Sequence, residues 1–88
     1  MLTAQDGLKI ARKLGVEPEE KRNHTRIRVV IDNILVGSYG VSRSSRERNH
    51  DYIAKQIGGI SARQARDLSR CPLSKEDYVE IIRDKGLL

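Results

Sequence analysis

The chain has no tryptophan and no phenylalanine, one cysteine, two prolines and only three tyrosines, Tyr39, Tyr52 and Tyr78. A core without Phe or Trp must be built from Ile, Leu and Val. A lone Cys71 cannot close an intrachain disulfide, which excludes a disulfide-stapled scaffold and suits a reducing compartment. Cys71 is expected to act as small apolar packing. His24 and His50 are the only imidazoles, 26 residues apart, and give no zinc-ligand spacing. No glycine-rich phosphate loop is present either: Gly37-Ser38-Tyr39-Gly40 lies inside a β-patterned run, where its glycines allow close packing. No apolar run approaches the roughly 18 residues that cross a bilayer, and the first residues lack a basic-then-apolar leader. These absences point to a soluble, cytoplasmic protein with no membrane partner, no metal and no cofactor. At 88 residues there is room for one small domain, and a partner chain, a second copy among the candidates, could supply missing burial.

What is present is positive charge, and it is unevenly placed. The net charge is +5, with eleven arginines among the 17 basic residues. Residues 21 to 55 hold that whole excess: Lys21, Arg22, Arg26, Arg28, Arg43, Arg46, Arg48 and Lys55 stand against Asp32, Glu47 and Asp51. The planar guanidinium fork suits phosphate and base edges better than an ammonium does. A polyanion, RNA first and DNA as the alternative, is therefore the expected partner; a solvated surface that only aids solubility is the competing explanation.

Along the chain, Thr3 with Asp6 three residues on opens a helix from Ala4 to Leu14, which Gly15 stops. Val16 to Asn23 carries Pro18 and three Glu and is at best a short edge strand. Thr25 to Val41 is the strongest β pattern, folded at Asp32-Asn33, two residues tolerant of positive φ. A regular ladder around that turn pairs Ile31 with Ile34, Val29 with Val36 and Ile27 with Ser38, and puts Tyr39 opposite Arg26. His24, Arg26 and Arg28 then share the polar face, with Ile27, Val29, Ile31 and Val36 inward. After the Ser/Arg patch Ser42 to Arg48, Asn49 is a plausible cap for a helix carrying Tyr52, Ile53, Ala54 and Ile57, stopped by Gly58-Gly59. Ser61 with Gln64 opens a third helix through Arg70 that buries Ala62, Ala65 and Leu68. Ser74 caps a fourth, with Tyr78, Ile81 and Ile82 as its apolar stripe. The expected class is α+β: a small antiparallel sheet of two to three strands packed against helices.

His24 is the sharpest candidate for chemistry. It begins the best strand, beside Lys21, Arg22, Arg26 and Arg28. A histidine there can take or give a proton during attack of a 2′-hydroxyl on phosphate, while arginines hold the growing charge. The bland alternative is a surface imidazole that only contacts phosphate. His50, near a helix start, is expected to cap or to sit at the surface. Tyr39 could stack on a base or on Arg26, or simply pack across strands.

Helix Ala4 to Leu14, Arg22-Asn23-His24, strands Thr25 to Asp32 and Ile34 to Val41, and Asp51-Tyr52-Ile53-Ala54-Lys55-Gln56-Ile57-Gly58 together resemble the HicA-type mRNA-interferase toxins, whose fold is like that of a double-stranded-RNA-binding domain. The resemblance covers residues 3 to 60, and residues 61 to 88 form a helical C-terminal extension of one single domain. It implies a metal-independent endoribonuclease with His24 as the catalytic residue, inhibited by a HicB-type antitoxin. Lys21, Arg22, Arg26, Arg28, Tyr39, Arg43, Arg46 and Arg48 would then contact the RNA. The family's Gly-Ser before the histidine is Arg22-Asn23 here, and its Pro-rich exit from the last strand is Gly40-Val41-Ser42-Arg43.

Two other classes compete. Ile53 to Arg66 is patterned like a helix-turn-helix with one extra glycine, which would put Arg63, Arg66 and Arg70 on a DNA-reading helix. The helix Ser74 to Lys85 could instead dock Tyr78, Ile81 and Ile82 on a second chain and make the protein an interaction module.

Overall fold

The computed structural model describes residues 2–21, 24–42, 50–70 and 72–88. Helix α1 (Ala4–Leu14) begins with a capping box in which Thr3 and Asp6 satisfy each other's backbone N–H, and it ends at Gly15 with φ 72°. Strands β1 (Glu19–Glu20), β2 (His24–Ile31) and β3 (Ile34–Ser42) form one antiparallel sheet in that order. Among the described residues three short helices follow: α2 (Tyr52–Gln56), α3 (Ala62–Ser69) and α4 (Lys75–Asp84). The protein is thus an α+β domain with a three-stranded antiparallel sheet.

Asp32 and Asn33 have φ of 52° and 66°, the positive pair that a two-residue hairpin turn needs to match strand twist. Ile31 faces Ile34 and Val30 faces Leu35 as a regular ladder demands, but Val29 then faces Gly37. Val36 is the extra residue of a β-bulge. The ladder expected from the sequence is therefore corrected beyond the turn: Ile27 lies opposite Tyr39, not Ser38, and Arg26 lies opposite Gly40, not Tyr39. One added residue in a period-two element moves every later side chain to the other face.

On β2, burial alternates without exception, Thr25, Ile27, Val29 and Ile31 inward and His24, Arg26, Arg28 and Val30 outward. Helix α1 covers the inner face so closely that a Cβ on Gly7 would stand 2.8 Å from Val41 Cγ2. The Tyr39 hydroxyl donates to the Gly7 carbonyl at 2.7 Å. Helix α2 lies along the free edge of β3: a Cβ on Gly37 would collide with the Gln56 carbonyl, and the Tyr52 hydroxyl donates to the carbonyl of Gly40. The Tyr52 hydroxyl thereby occupies one backbone carbonyl of the edge strand β3.

Helix α3 packs against α1 and α2. The buried Asp6 ties the two helices together, since its Oδ1 accepts from the Ser69 hydroxyl at 3.1 Å. The Lys13 ammonium donates to the carbonyls of Arg70 and Leu73 just past the end of α3. Capping boxes at Ser61/Gln64 and Ser74/Asp77 start α3 and α4 where the sequence signals them. One apolar cluster joins Ile10, Ile27 and Val29 to Ala65, Leu68, Tyr78 and Ile82. Of the three residues an interaction module would dock on a second chain, Tyr78 and Ile82 are wholly buried within this chain and Ile81 is half-buried, and the Tyr78 hydroxyl donates to the Ile57 carbonyl at 2.6 Å.

Smaller corrections follow from packing. Ala62 is exposed, because the buried stripe of α3 starts at Ala65. Asp51 precedes α2 without capping it; its carboxylate instead accepts from the Leu2 backbone N–H at 2.6 Å. Asn49, the expected cap, lies outside the described residues. His50 is buried, 2% exposed, with its N–H donating to the Leu2 carbonyl. No described helix is long and apolar enough to cross a membrane.

Candidate nucleic-acid interface

The outward face of the sheet begins with the strict alternation of β2. Its three polar outward side chains, His24, Arg26 and Arg28, recur every second residue, and successive same-face positions stand about 7 Å apart. The Arg26 guanidinium reaches diagonally across the hairpin, its Nη2 3.4 Å from Ser38 Oγ. The His24 ring leans over Gly40: a Cβ at that glycine would touch His24 Cδ2 at 3.5 Å. A side chain at Gly40 would fill the space the imidazole overhangs. Lys21 joins this edge, its N–H donating to the His24 carbonyl at 2.9 Å. Its ammonium is 3.7 Å from Glu19, an exposed pair of small energetic consequence. Glu19 is directly opposite Arg26 and brings one acid into the cationic surface.

Beside His24 the sheet dips into an open recess of about 240 Å³ lined by Arg26, Ser38, Tyr39, Gly40, Tyr52 and Gln56. Tyr39 contributes from below. It is 3% exposed, and burial, with the neighbouring Tyr78 and Tyr52, pushes its phenol far above the usual range. Its ring is not the exposed nucleic-acid contact expected from the sequence, because the bulge at Val36 turns it to the inner face. The exposed aromatic of the site is Tyr52, 43% accessible, with its hydroxyl on the Gly40 carbonyl and its ring 5.5 Å from that of His50. Sequence reasoning treated Tyr52 as an apolar helix residue and overlooked Ser38 and Gln56. Nothing local signals them, since they meet only when α2 docks on the edge of β3.

Of the residues expected to bind nucleic acid, Lys21, Arg26 and Arg28 share the exposed sheet surface with His24. Arg22, Arg43, Arg46 and Arg48 lie outside the described residues. No family model, curated protein or solved structure matches this chain. The reading of the site thus rests on its own residues. Among the described residues, no three His, Cys, Asp or Glu side chains gather as metal ligands.

A second cationic surface lies on the α1–α3 pair. Arg63, Arg66 and Arg70 are exposed and border an open recess of about 530 Å³ together with Asp51 and Asp67. Lys9, Arg12 and Lys13 line an adjoining depression that shares Arg70. Two carboxylates and the carbonyl-bound Lys13 temper this surface.

Proposed function

We propose that this chain binds RNA on the outward face of its sheet and that His24 moves a proton in cleaving it, as a HicA-type mRNA interferase of the cytoplasm would. The observation that carries the reading is the alternation of β2, which holds an accessible imidazole in one row with two arginines, beside a recess open to solvent. In such a cleavage the ribose 2′-oxygen bonds to phosphorus and the P–O5′ bond breaks, leaving a 2′,3′-cyclic phosphate and a 5′-hydroxyl. The 2′-hydroxyl gives up a proton and the 5′-oxygen takes one. His24 serves one of these transfers and water the other, while the arginines donate to the phosphoryl oxygens as their charge grows. The deciding experiment incubates single-stranded RNA with the parent and with His24→Ala. Cleavage by the parent alone, with equal affinity for RNA, is expected; equal cleavage by both removes the assignment. A HicB-type antitoxin belongs to the same proposal, and co-expression with it should relieve growth arrest.

A second reading is favoured by one observation, the exposure of Arg63 and Arg66 along α3 and of Arg70 at its C-cap. It makes α2 and α3 a helix-turn-helix on duplex DNA. Duplex binding lost in Arg63→Ala/Arg66→Ala would support it.

A further inference from the structure

The recess beside His24 has features that phosphate binding does not require. One wall is the ring of Tyr52, fixed at its hydroxyl by the Gly40 carbonyl and backed by the ring of His50. Gln56 and Ser38 bring an amide and a hydroxyl to the same opening, and Arg26 stands at its rim. An aromatic ring held at both ends is a stacking surface whose ordering cost is already met by the fold. An amide offers one acceptor and two donors, enough to engage the polar edge of a heterocycle.

We propose that this recess takes one unpaired nucleobase of a bound RNA strand, stacked on Tyr52, with Gln56 and Ser38 at its edge and Arg26 on the adjoining phosphate. The inference rests on the RNA-binding reading of the sheet face and adds the substrate class: single-stranded RNA, or a strand with a base turned out. A base inside a duplex is already stacked on its neighbours and presents no free face. The proximity of the recess to His24 means that the held base also positions the phosphate next to the imidazole.

The chain supplies its own reporter. It has no tryptophan, and Tyr39 and Tyr78 are buried, so Tyr52 is the accessible tyrosine emitter. The titration uses a 2′-O-methyl oligouridylate, which lacks the attacking hydroxyl and survives contact with the protein, an abasic oligomer of the same length, and a duplex RNA. The oligouridylate should quench tyrosine emission and bind roughly tenfold more tightly than the abasic oligomer, the scale of one stacked base. Tyr52→Leu should lose that tenfold and the quenching together, and Tyr52→Phe, which keeps the ring, should retain most of the affinity. If Tyr52→Leu does not fold, the abasic comparison on the parent protein decides alone. Equal affinity for the oligouridylate and the abasic oligomer overturns the base recess while leaving RNA binding intact. Absence of affinity for every RNA overturns the RNA reading itself, and the recess with it.

Discussion

The outward face of the sheet and the outer face of the α1–α3 pair are both cationic, and they hold their charge in different ways. On the sheet, a rigid two-residue period aligns His24, Arg26 and Arg28, a diagonal contact steadies Arg26, and an anchored tyrosine stands beside them. On the helices, Arg63, Arg66 and Arg70 extend from α3 among Asp51 and Asp67, and Lys13 is already engaged by backbone carbonyls. The comparison teaches that charge count does not distinguish a site from a solvated surface. Convergence of different side chains sets the sheet face apart: an imidazole, two guanidinium groups and an exposed phenol ring stand on one side of this molecule.

The largest expected effect separates the two faces by chemistry. His24→Ala should lower RNA cleavage by roughly a hundredfold or more with little change in affinity or folding, measured by single-turnover cleavage of a labelled strand. Arg66→Ala on the helical face should leave that rate within about twofold of the parent, since it touches no reacting group. A rate loss from Arg66→Ala as large as that from His24→Ala would erase the distinction.

Stability sharpens the same contrast, because each face depends on a different joint. Gly37→Ala would drive a methyl group into the Gln56 carbonyl and lift α2 from the edge of β3, costing about 1–3 kcal/mol. Denaturant melts should show that loss, with Tyr52 displaced from the sheet face. Asp6→Asn should loosen the α1–α3 joint by a similar amount, about 1–3 kcal/mol.

Asp6 also carries a pH signature. Burial alone would raise its pKa, but the hydrogen bonds from the Thr3 backbone, the Ser69 hydroxyl and the Thr3 hydroxyl, with the charge of Arg70, leave it lowered. A carboxyl with a lowered folded-state pKa stabilises the fold fully above its ordinary value of about 3.9, and the contribution disappears as pH falls through the folded-state value. Thermal midpoints measured downward from pH 6 should therefore drop more steeply below about pH 4 in the parent than in Asp6→Asn.

The smallest effect lies at the hairpin tip. Leu35 is 60% exposed, so Leu35→Lys should shift stability by less than about 0.5 kcal/mol while adding one cation to the sheet face.

Much of this fold is legible because its signals are local. Capping boxes at Thr3, Ser61 and Ser74, the Asp32-Asn33 turn and the parity of β2 each depend on residues within a few positions, and each is where the pattern puts it. The errors come from longer range. No residue announces the bulge at Val36, which arises between strands and carries Tyr39 from the expected ligand face into the core. Tyr52 is visible as a residue but not as part of the site, because only the docking of α2 against Gly37 and Gly40 brings it beside His24. The apolar stripe of α4 is legible as a stripe, while what covers it, the chain's own Ile57 and Gly58, is a tertiary fact.

The central claim, that the sheet face and not the helical face engages RNA, is tested most directly by the salt dependence of binding in two double variants. Single-stranded RNA should be titrated at several salt concentrations with the parent, Arg26→Ala/Arg28→Ala and Arg63→Ala/Arg66→Ala. Each lost phosphate contact lowers the slope of log affinity against log salt by about 0.7. Arg26→Ala/Arg28→Ala should therefore flatten the slope by about 1.4 on the same scale, with Arg63→Ala/Arg66→Ala matching the parent. A flattened slope in the helical variant and an unchanged one in the sheet variant would contradict the account.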